Sequence, residues 1–356
     1  MQNAAKYKVP KAGIGSFFHT IDPVAYDLQE KVIDFDYALF YTGRHALLYI
    51  LKEIQLQKKI RKIWMPSYYC QHVTQWIQHS YDTIEFYTID PFNFPVKWNP
   101  NEFASADDIV ITNNYWGLSD SITKQDVHAI LVEDHSHGWL TESCLHSKAD
   151  YCFASLRKSL PIPLGGIVWK PGSSMNLDKD LLSEDQAFYN NWTRIQCAMN
   201  DKWLFVNGDE RITKENFLQT IAETENFLHE HHSLVTLAPG HHELINNFVK
   251  YDMLLPKKRN LLVLTEVIQE TDFIKVVKKE NRISFGLSLL LKNEEYYQSL
   301  RKYLIENQIF PSHLWPGNAP DFKWNHFLNI HVDFRYSEED MKYIVKMINN
   351  WIVLNK

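Results

Sequence analysis

Short apolar runs, each long enough for one strand and set between helical patterns, most limit what this chain can fold into. Arg61-Lys62-Ile63-Trp64-Met65 reads as a strand that stops at Pro66-Ser67, and Thr83 to Ile89 alternates like a second. Asp108 to Thr112, Ala129 to Val132, Tyr151 to Ser155 and Gly166 to Trp169 follow. Gly43 opens a helical pattern with Ala46, Leu47, Ile50, Leu51 and Ile54 on one face, and Gln71 to His79 reads as a second helix carrying Val73, Trp76 and Ile77. Such an alternation predicts an α/β fold, a mostly parallel sheet covered on both faces by helices.

The 356 residues are comfortable for two domains. Ser183 to Tyr251 is helical and polar. From about Pro256 the texture changes: KKRNLLVLTEVIQ is a helix, Phe285 to Leu291 a strand and Glu294 to Glu306 a helix. YSEEDMKYIVKMINNWIVL closes the chain, with Ser337 placed to cap its last helix. The expected division is an N-terminal segment, 1–34, against the small domain or a dimer interface, then a large domain, 35–255, and a smaller α+β domain, 256–356.

A net charge of −6 argues against a nucleic-acid or anionic-membrane surface. Cys70, Cys144, Cys152 and Cys197 form no CxxC pair, which removes zinc-ribbon and thioredoxin readings. No apolar run approaches the ~18 residues of a membrane span. MQNAAKYKVPKAG lacks the apolar core of a signal peptide, so a cytoplasmic protein with reduced thiols is expected. The histidines of FLHEHHSLVTLAPGHHEL lack HExxH spacing and a companion ligand set, and no metal site is expected there.

In open α/β sheets, ligands sit at the carboxyl ends of strands. Thr42-Gly43-Arg44 starts a helix, Asn113-Asn114-Tyr115 follows one strand, Asp134 and His137 follow another, and Ser155 and Lys158 a third. Lys158 lies in ADYCFASLRKSLPIPLGGIVW, an otherwise apolar stretch where an ammonium costs several kcal/mol unless it is paired, neutralised or used. An anion site at a helix start, an acid, an imidazole, a hydroxyl and a lysine suit a cofactor with a phosphate, a ring nitrogen and an aldehyde. Pyridoxal 5′-phosphate (PLP) is such a cofactor.

The blocks YTGRHALLYILKE, IWMPSYYC, IVITNNYWGL, LVEDHSHGWL, CFASLRKSLPIPLGG and VDFRYSEEDMKYIV resemble the DegT/DnrJ/EryC1/StrS family. These are fold-type I, PLP-dependent aminotransferases, many acting on nucleotide-linked keto sugars. The likeness is strongest to a divergent branch, often encoded among surface-polysaccharide genes, with a GGYFEL-like start (GIGSFF here) and an RK pair at the cofactor lysine.

The resemblance implies that Lys158 forms the Schiff base and shuttles the proton, with a pKa lowered by burial. Asp134 would pair with the pyridine nitrogen, and His137 would contact the ring face or its 3′-oxygen. Ser155 would bind the phosphate with the backbone of Gly43 and Arg44, Thr42 capping the helix. Asn114 and Tyr115 are candidates for contacts near the ring. Glutamate is the expected amino donor and a keto compound, such as a nucleotide-linked sugar, the acceptor. Lys158 argues against the family's dehydratases, which are expected to carry histidine there; another PLP enzyme and a non-catalytic protein on the same fold are the alternatives.

Cys70 stands where the family places an aromatic residue over the pyridine ring, with Tyr68 or Tyr69 as substitutes. The Asn-Tyr-Arg motif of the sugar aminotransferases has only a loose echo in QAFYNNWTRIQ. IFPSHLWPG resembles a loop by which the small domain reaches the site, making His313 and Trp315 candidate substrate contacts. Arg335 is a candidate clamp for a substrate carboxylate or a partner for Glu338 or Glu339. A two-fold homodimer with shared active sites is expected, its interface drawing on the aromatic residues of GIGSFF and YNNWTRIQCAMNDKWLF.

Overall fold

The computed structural model describes residues 7–94, 98–120, 127–312, 314–315, 318 and 324–356. Its larger sheet is built from β1 (Tyr37–Phe40), β2 (Ile63–Pro66), β3 (Ile84–Tyr87), β4 (Ile109–Asn113), β5 (Ile130–Asp134), β6 (Tyr151–Ser155) and β7 (Gly166–Trp169). These seven strands lie in the order β1-β7-β6-β5-β4-β2-β3. From β6 to β3 every pairing is parallel. β7 runs antiparallel to both neighbours, β1 and β6.

Both faces of the sheet are buried, as the sequence pattern required. Leu39, Val110, Leu131, Cys152 and Ile167 pack into one apolar cluster, and Phe40, Ile111, Val132, Phe153 and Val168 into another. Adjacent residues of one strand thus enter opposite layers, the period-two rule of a pleated sheet. The helices of this half are α1 (Gly43–Gln57), α2 (Gln71–Gln78), the short α3 (Glu142–Leu145), α4 (Gln186–Val206), α5 (Lys214–Glu230) and α6 (Pro239–Val249).

α1 and β7 meet without a side chain between them. A Cβ on Gly166 would lie 2.2 Å from the carbonyl oxygen of Thr42, so only glycine lets the strand pass the helix start. A Cβ on Gly43 would lie 2.9 Å from Ser155 Cβ, which sets the end of β6 directly against the same helix start.

The second unit carries α7 (Leu254–Thr265), β8 (Ile274–Val276), β9 (Leu287–Leu291), α8 (Glu294–Glu306), β10 (His326–Ile330) and α9 (Glu338–Leu354). Its antiparallel sheet has the order β10-β9-β8 and its own core, in which Leu289, Leu300, Ile344 and Trp351 are buried. Ser337 caps α9 in a reciprocal capping box with Asp340. The N-terminal segment joins this unit: Ile14 pairs with Ile309, and the Gly15 amide donates to Tyr336 Oη at 2.8 Å. Among the described residues, no helix is long and apolar enough to cross a membrane.

β1, β8 and β10 were not anticipated from sequence. β8 has three residues with Lys275 between two apolar ones, and β10 holds Asn329, so neither shows a strong apolar run. β1 is four residues long and merges into the turn before α1.

Candidate active site

α1 begins at the carboxyl edge of the sheet, capped by Thr42, whose Oγ1 accepts from the His45 amide at 3.3 Å. The first amides of such a helix have no intrahelical acceptor and face outward with the positive end of the helix dipole. They open onto a cavity of about 320 Å³ lined by Thr42, Gly43, Arg44, Asp134, Ser155 and Lys158, among others. The expected anion-site, acid, hydroxyl and lysine residues therefore share one cavity.

Asp134 ends β5 and is 5% exposed. Its Oδ1 accepts from the Ser136 amide at 2.8 Å, and its Oδ2 accepts from Tyr69 Oη at 2.6 Å and from Asn113 Nδ2 at 3.4 Å. Three donors hold the buried carboxylate in one orientation. Burial, then the Asp134 charge, pushes the Tyr69 hydroxyl well above its ordinary pKa, so it remains a donor.

Lys158 follows β6, and its Nζ lies 3.3 Å from His137 Nε2. Burial and then the Lys158 charge push the His137 pKa well down, so the imidazole is neutral. Its ring is packed by Trp116 and Trp315, with centroids 5.3 and 5.1 Å away at interplanar angles of 15° and 23°. Both tryptophans are at positive φ, 56° and 54°, a backbone region costly for a bulky residue and found where packing over-determines the chain. Trp315 therefore supports His137 and touches Tyr68 and Tyr69, while His313 lies outside the described residues.

A second cavity of about 290 Å³ also reaches Lys158. Phe17, Phe18, Ile162, Ile195, Met199 and Phe285 give it an apolar lining, and Ser312 and His331 add a hydroxyl and an imidazole 3.1 Å apart.

Other expectations change. Asn114 spends its side chain below the site, on His135 Nδ1 at 3.2 Å and Ser143 Oγ at 2.9 Å. Tyr115 Oη donates to the Tyr68 carbonyl at 2.7 Å inside an aromatic cluster. Neither lines the cavities at Lys158, because the turn after β4 points them into the core while Asn113, one residue earlier, faces Asp134. Tyr69 serves Asp134, and Tyr68 packs against Trp315, Trp116 and Phe92. Cys70 does line the first cavity, beside His72 and Val73.

Arg335 is neither free for a substrate nor paired with Glu338 or Glu339. It is bidentate on Asp333, at 2.8 Å for both contacts, and donates to the carbonyls of Phe17 and Gly15 at 2.6 and 2.9 Å. Its side chain is 4% exposed, so nothing of it is left for the cavity. Local geometry explains the change: Asp333, two residues away, is nearer than either glutamate of α9.

Sequence reasoning missed Ser136, Arg157, Glu225 and His229, all of which line the first cavity. Arg157 Nη2 binds Glu225 Oε2 at 3.0 Å, and Arg44 Nη1 bonds His229 Nδ1 at 3.0 Å. The sequence offered two signals: the RK pair sets Arg157 beside the lysine, and the i, i+4 spacing of Glu225 and His229 puts them on one face of α5. Burial and the neighbouring Arg157 charge lower Arg44 to about 10, a repulsion that a bound anion would relieve.

These residues fit PLP. Two guanidinium groups, a helix start and a serine suit its phosphate, Asp134 suits its ring nitrogen, and the Lys158 amine suits its aldehyde.

The class is set by the architecture: an α/β protein with the fold of type I PLP-dependent aminotransferases. AtS13 from Actinomadura melliaura superposes with a TM-score of 0.56 at 10% identity, over 95% of this chain and 98% of its own. The aminotransferase TlmJ from Streptoalloteichus hindustanus gives 0.55 at 10% identity, over 96% and 99%. Spr1654 from Streptococcus pneumoniae, assigned as a sugar aminotransferase and solved in its PMP form, gives 0.54 at 11% identity, over 96% and 94%. No protein-family model and no curated protein matches the chain.

Proposed function

We propose that the chain is a PLP-dependent aminotransferase that moves an amino group from a donor, glutamate by resemblance, to a keto acceptor such as a nucleotide-linked keto sugar. The observation that carries this reading is the place of Lys158: one amine reached by two cavities, one built for an anionic cofactor and one open for a substrate. Bound PLP supplies an aldehyde for the amine and a ring that accepts electrons.

The chain's own groups do the rest. The α1 start, Arg44, Arg157 and Ser155 anchor the phosphate. Asp134, held in place by Tyr69, Asn113 and the Ser136 amide, holds a proton on the ring nitrogen. The Lys158 Nζ carries the proton moved during transfer, and neutral His137 orients that amine from 3.3 Å.

Spectroscopy with PLP tests the reading. The protein should acquire a visible absorption band that borohydride fixes as added mass on Lys158, and glutamate should bleach it, releasing 2-oxoglutarate. No band would leave a non-catalytic protein on this fold. A band that glutamate and other amino acids leave intact would favour a lyase.

A further inference from the structure

We propose that Ser312 sets the specificity of the second cavity by hydrogen-bonding a hydroxyl group of the keto substrate, and that His331 is the residue that positions it. The inference rests on the aminotransferase reading of Lys158 and narrows the substrate admitted there to a hydroxylated one.

The polar groups of the cavity divide by what they are already doing. Arg157 and Glu225 hold one another through two contacts, and Lys158 is the reacting amine. Ser312 and His331 carry neither charge nor counter-ion, and their Oγ and Nε2 lie 3.1 Å apart in the lining. They stand among Phe17, Phe18, Ile162 and Phe285, where a polar contact is worth most because the surroundings offer no other.

The His331 ring is 7% exposed and is held edge-on to Phe285, with centroids 5.2 Å apart. Burial lowers it to about 3; the Asp333 charge opposes that fall, and those of Arg335, Lys257 and Lys202 add to it. The imidazole is therefore neutral, and its Nε2 donates or accepts according to which nitrogen bears the proton. Ser312 Oγ, half-buried at the cavity, can then donate to a substrate while accepting from the ring, or accept while donating to it. A carbonyl only accepts and an ammonium only donates. A hydroxyl does both, so it matches the pair in either state.

The pair is not what fastens this part of the chain. Ser312 and Asn329 exchange both backbone hydrogen bonds, at 2.7 and 3.3 Å, so the Ser312 backbone is fixed whether or not its side chain meets a partner. His331 lies two residues beyond Asn329, which brings its ring to the Ser312 hydroxyl. Placing an imidazole there has a desolvation cost that the backbone pairing does not require. A hydroxyl held on paired backbone and oriented from behind is a rigid reader of a substrate group.

Ring ketones test this. Cyclohexanone and its three monohydroxy derivatives are compact probes that differ by a single hydroxyl. The wild type is first bleached with glutamate, and each ketone is then added to restore the visible band. At least one hydroxyketone should restore it with a kcat/KM at least about tenfold above that of cyclohexanone, the size of one hydrogen bond between neutral groups. Ser312→Ala should bring that ratio to about one, as expected once the protein partner is gone. Ser312→Thr, which keeps the hydroxyl, should retain the preference, and His331→Phe should lower it. Circular dichroism checks that each variant folds. A wild type that uses all the ketones equally or none of them would overturn the inference. So would a Ser312→Ala or His331→Phe chain with the wild-type ratio, even one that melts at a lower temperature, since that is the mark of a purely structural pair. A wild type whose band glutamate leaves intact would instead overturn the aminotransferase reading itself.

Discussion

Lys158 and Asp134 sit in the same cavity but have separable parts. Lys158→Ala should leave the circular dichroism spectrum intact and abolish both borohydride-fixed mass and turnover. Retained activity in this variant would move the chemistry elsewhere. Asp134→Asn is expected to keep bound cofactor and lose at least about a hundredfold in kcat, since each tenfold is about 1.4 kcal/mol and a dry charged contact is worth several such steps. The asparagine oxygen can accept from Tyr69 or from the Ser136 amide but not from both, and it brings no negative charge to the ring nitrogen. A kcat near that of the wild type would remove Asp134 from the mechanism. At this scale the sequence was readable where a polar residue follows an apolar strand, as Asp134 follows Leu131-Val132. It was unreadable where the answer was one residue out of phase. Asn113 and Asn114 look alike in sequence, yet the pleat turns the first toward Asp134 and the second into the core.

At the scale of elements, α1 and the strands β2 to β7 were visible as patterns, while α5 lay undivided within the helical stretch Ser183 to Tyr251. What a helix face packs against depends on docking, which Glu225 and His229 four residues apart do not encode. Two buried histidines, His45 and His331, have a pH signature. Burial lowers His45 to about 3, with the Arg44 charge adding to it, and burial lowers His331 to about 3. Both are neutral in the fold, and both take a proton in the unfolded chain below about pH 6.5. The unfolded state then binds more protons, so stability is complete above about pH 6.5 and falls as the pH drops toward 3. Each such group contributes up to about 1.4 kcal/mol per pH unit in that window. The melting temperature should therefore be lower at pH 5 than at pH 7, and His45→Gln should flatten the difference. A profile flat in the wild type would contradict the burial of these rings.

Across the whole molecule, the two sheets are joined by the N-terminal segment as much as by the chain that connects them. Arg335, next to Asp333, grips the carbonyls of Gly15 and Phe17 from the far end of the sequence. Arg335→Gln leaves Asp333 buried without its counter-ion, and such losses cost about 3–5 kcal/mol. A fall of that size in urea unfolding is expected. An increase in KM should accompany it, because Ser16, Phe17 and Phe18 line the second cavity. A variant with full stability and unchanged KM would mean that the grip is dispensable. The grip could not be read from the sequence, since it pairs residues some three hundred positions apart with no local pattern to mark them.

That grip also fixes the order in which a newly made molecule can become competent. Domains fold as units while the ribosome still holds the rest of the chain. The large sheet, α1 and α5 are all complete before Arg335 has left the peptidyl-transferase centre, so the first cavity can form on a nascent chain. The second cavity cannot. Its outer wall hangs from residues translated first and is fastened by an arginine translated near the end, so the two spaces that meet at Lys158 are completed one after the other.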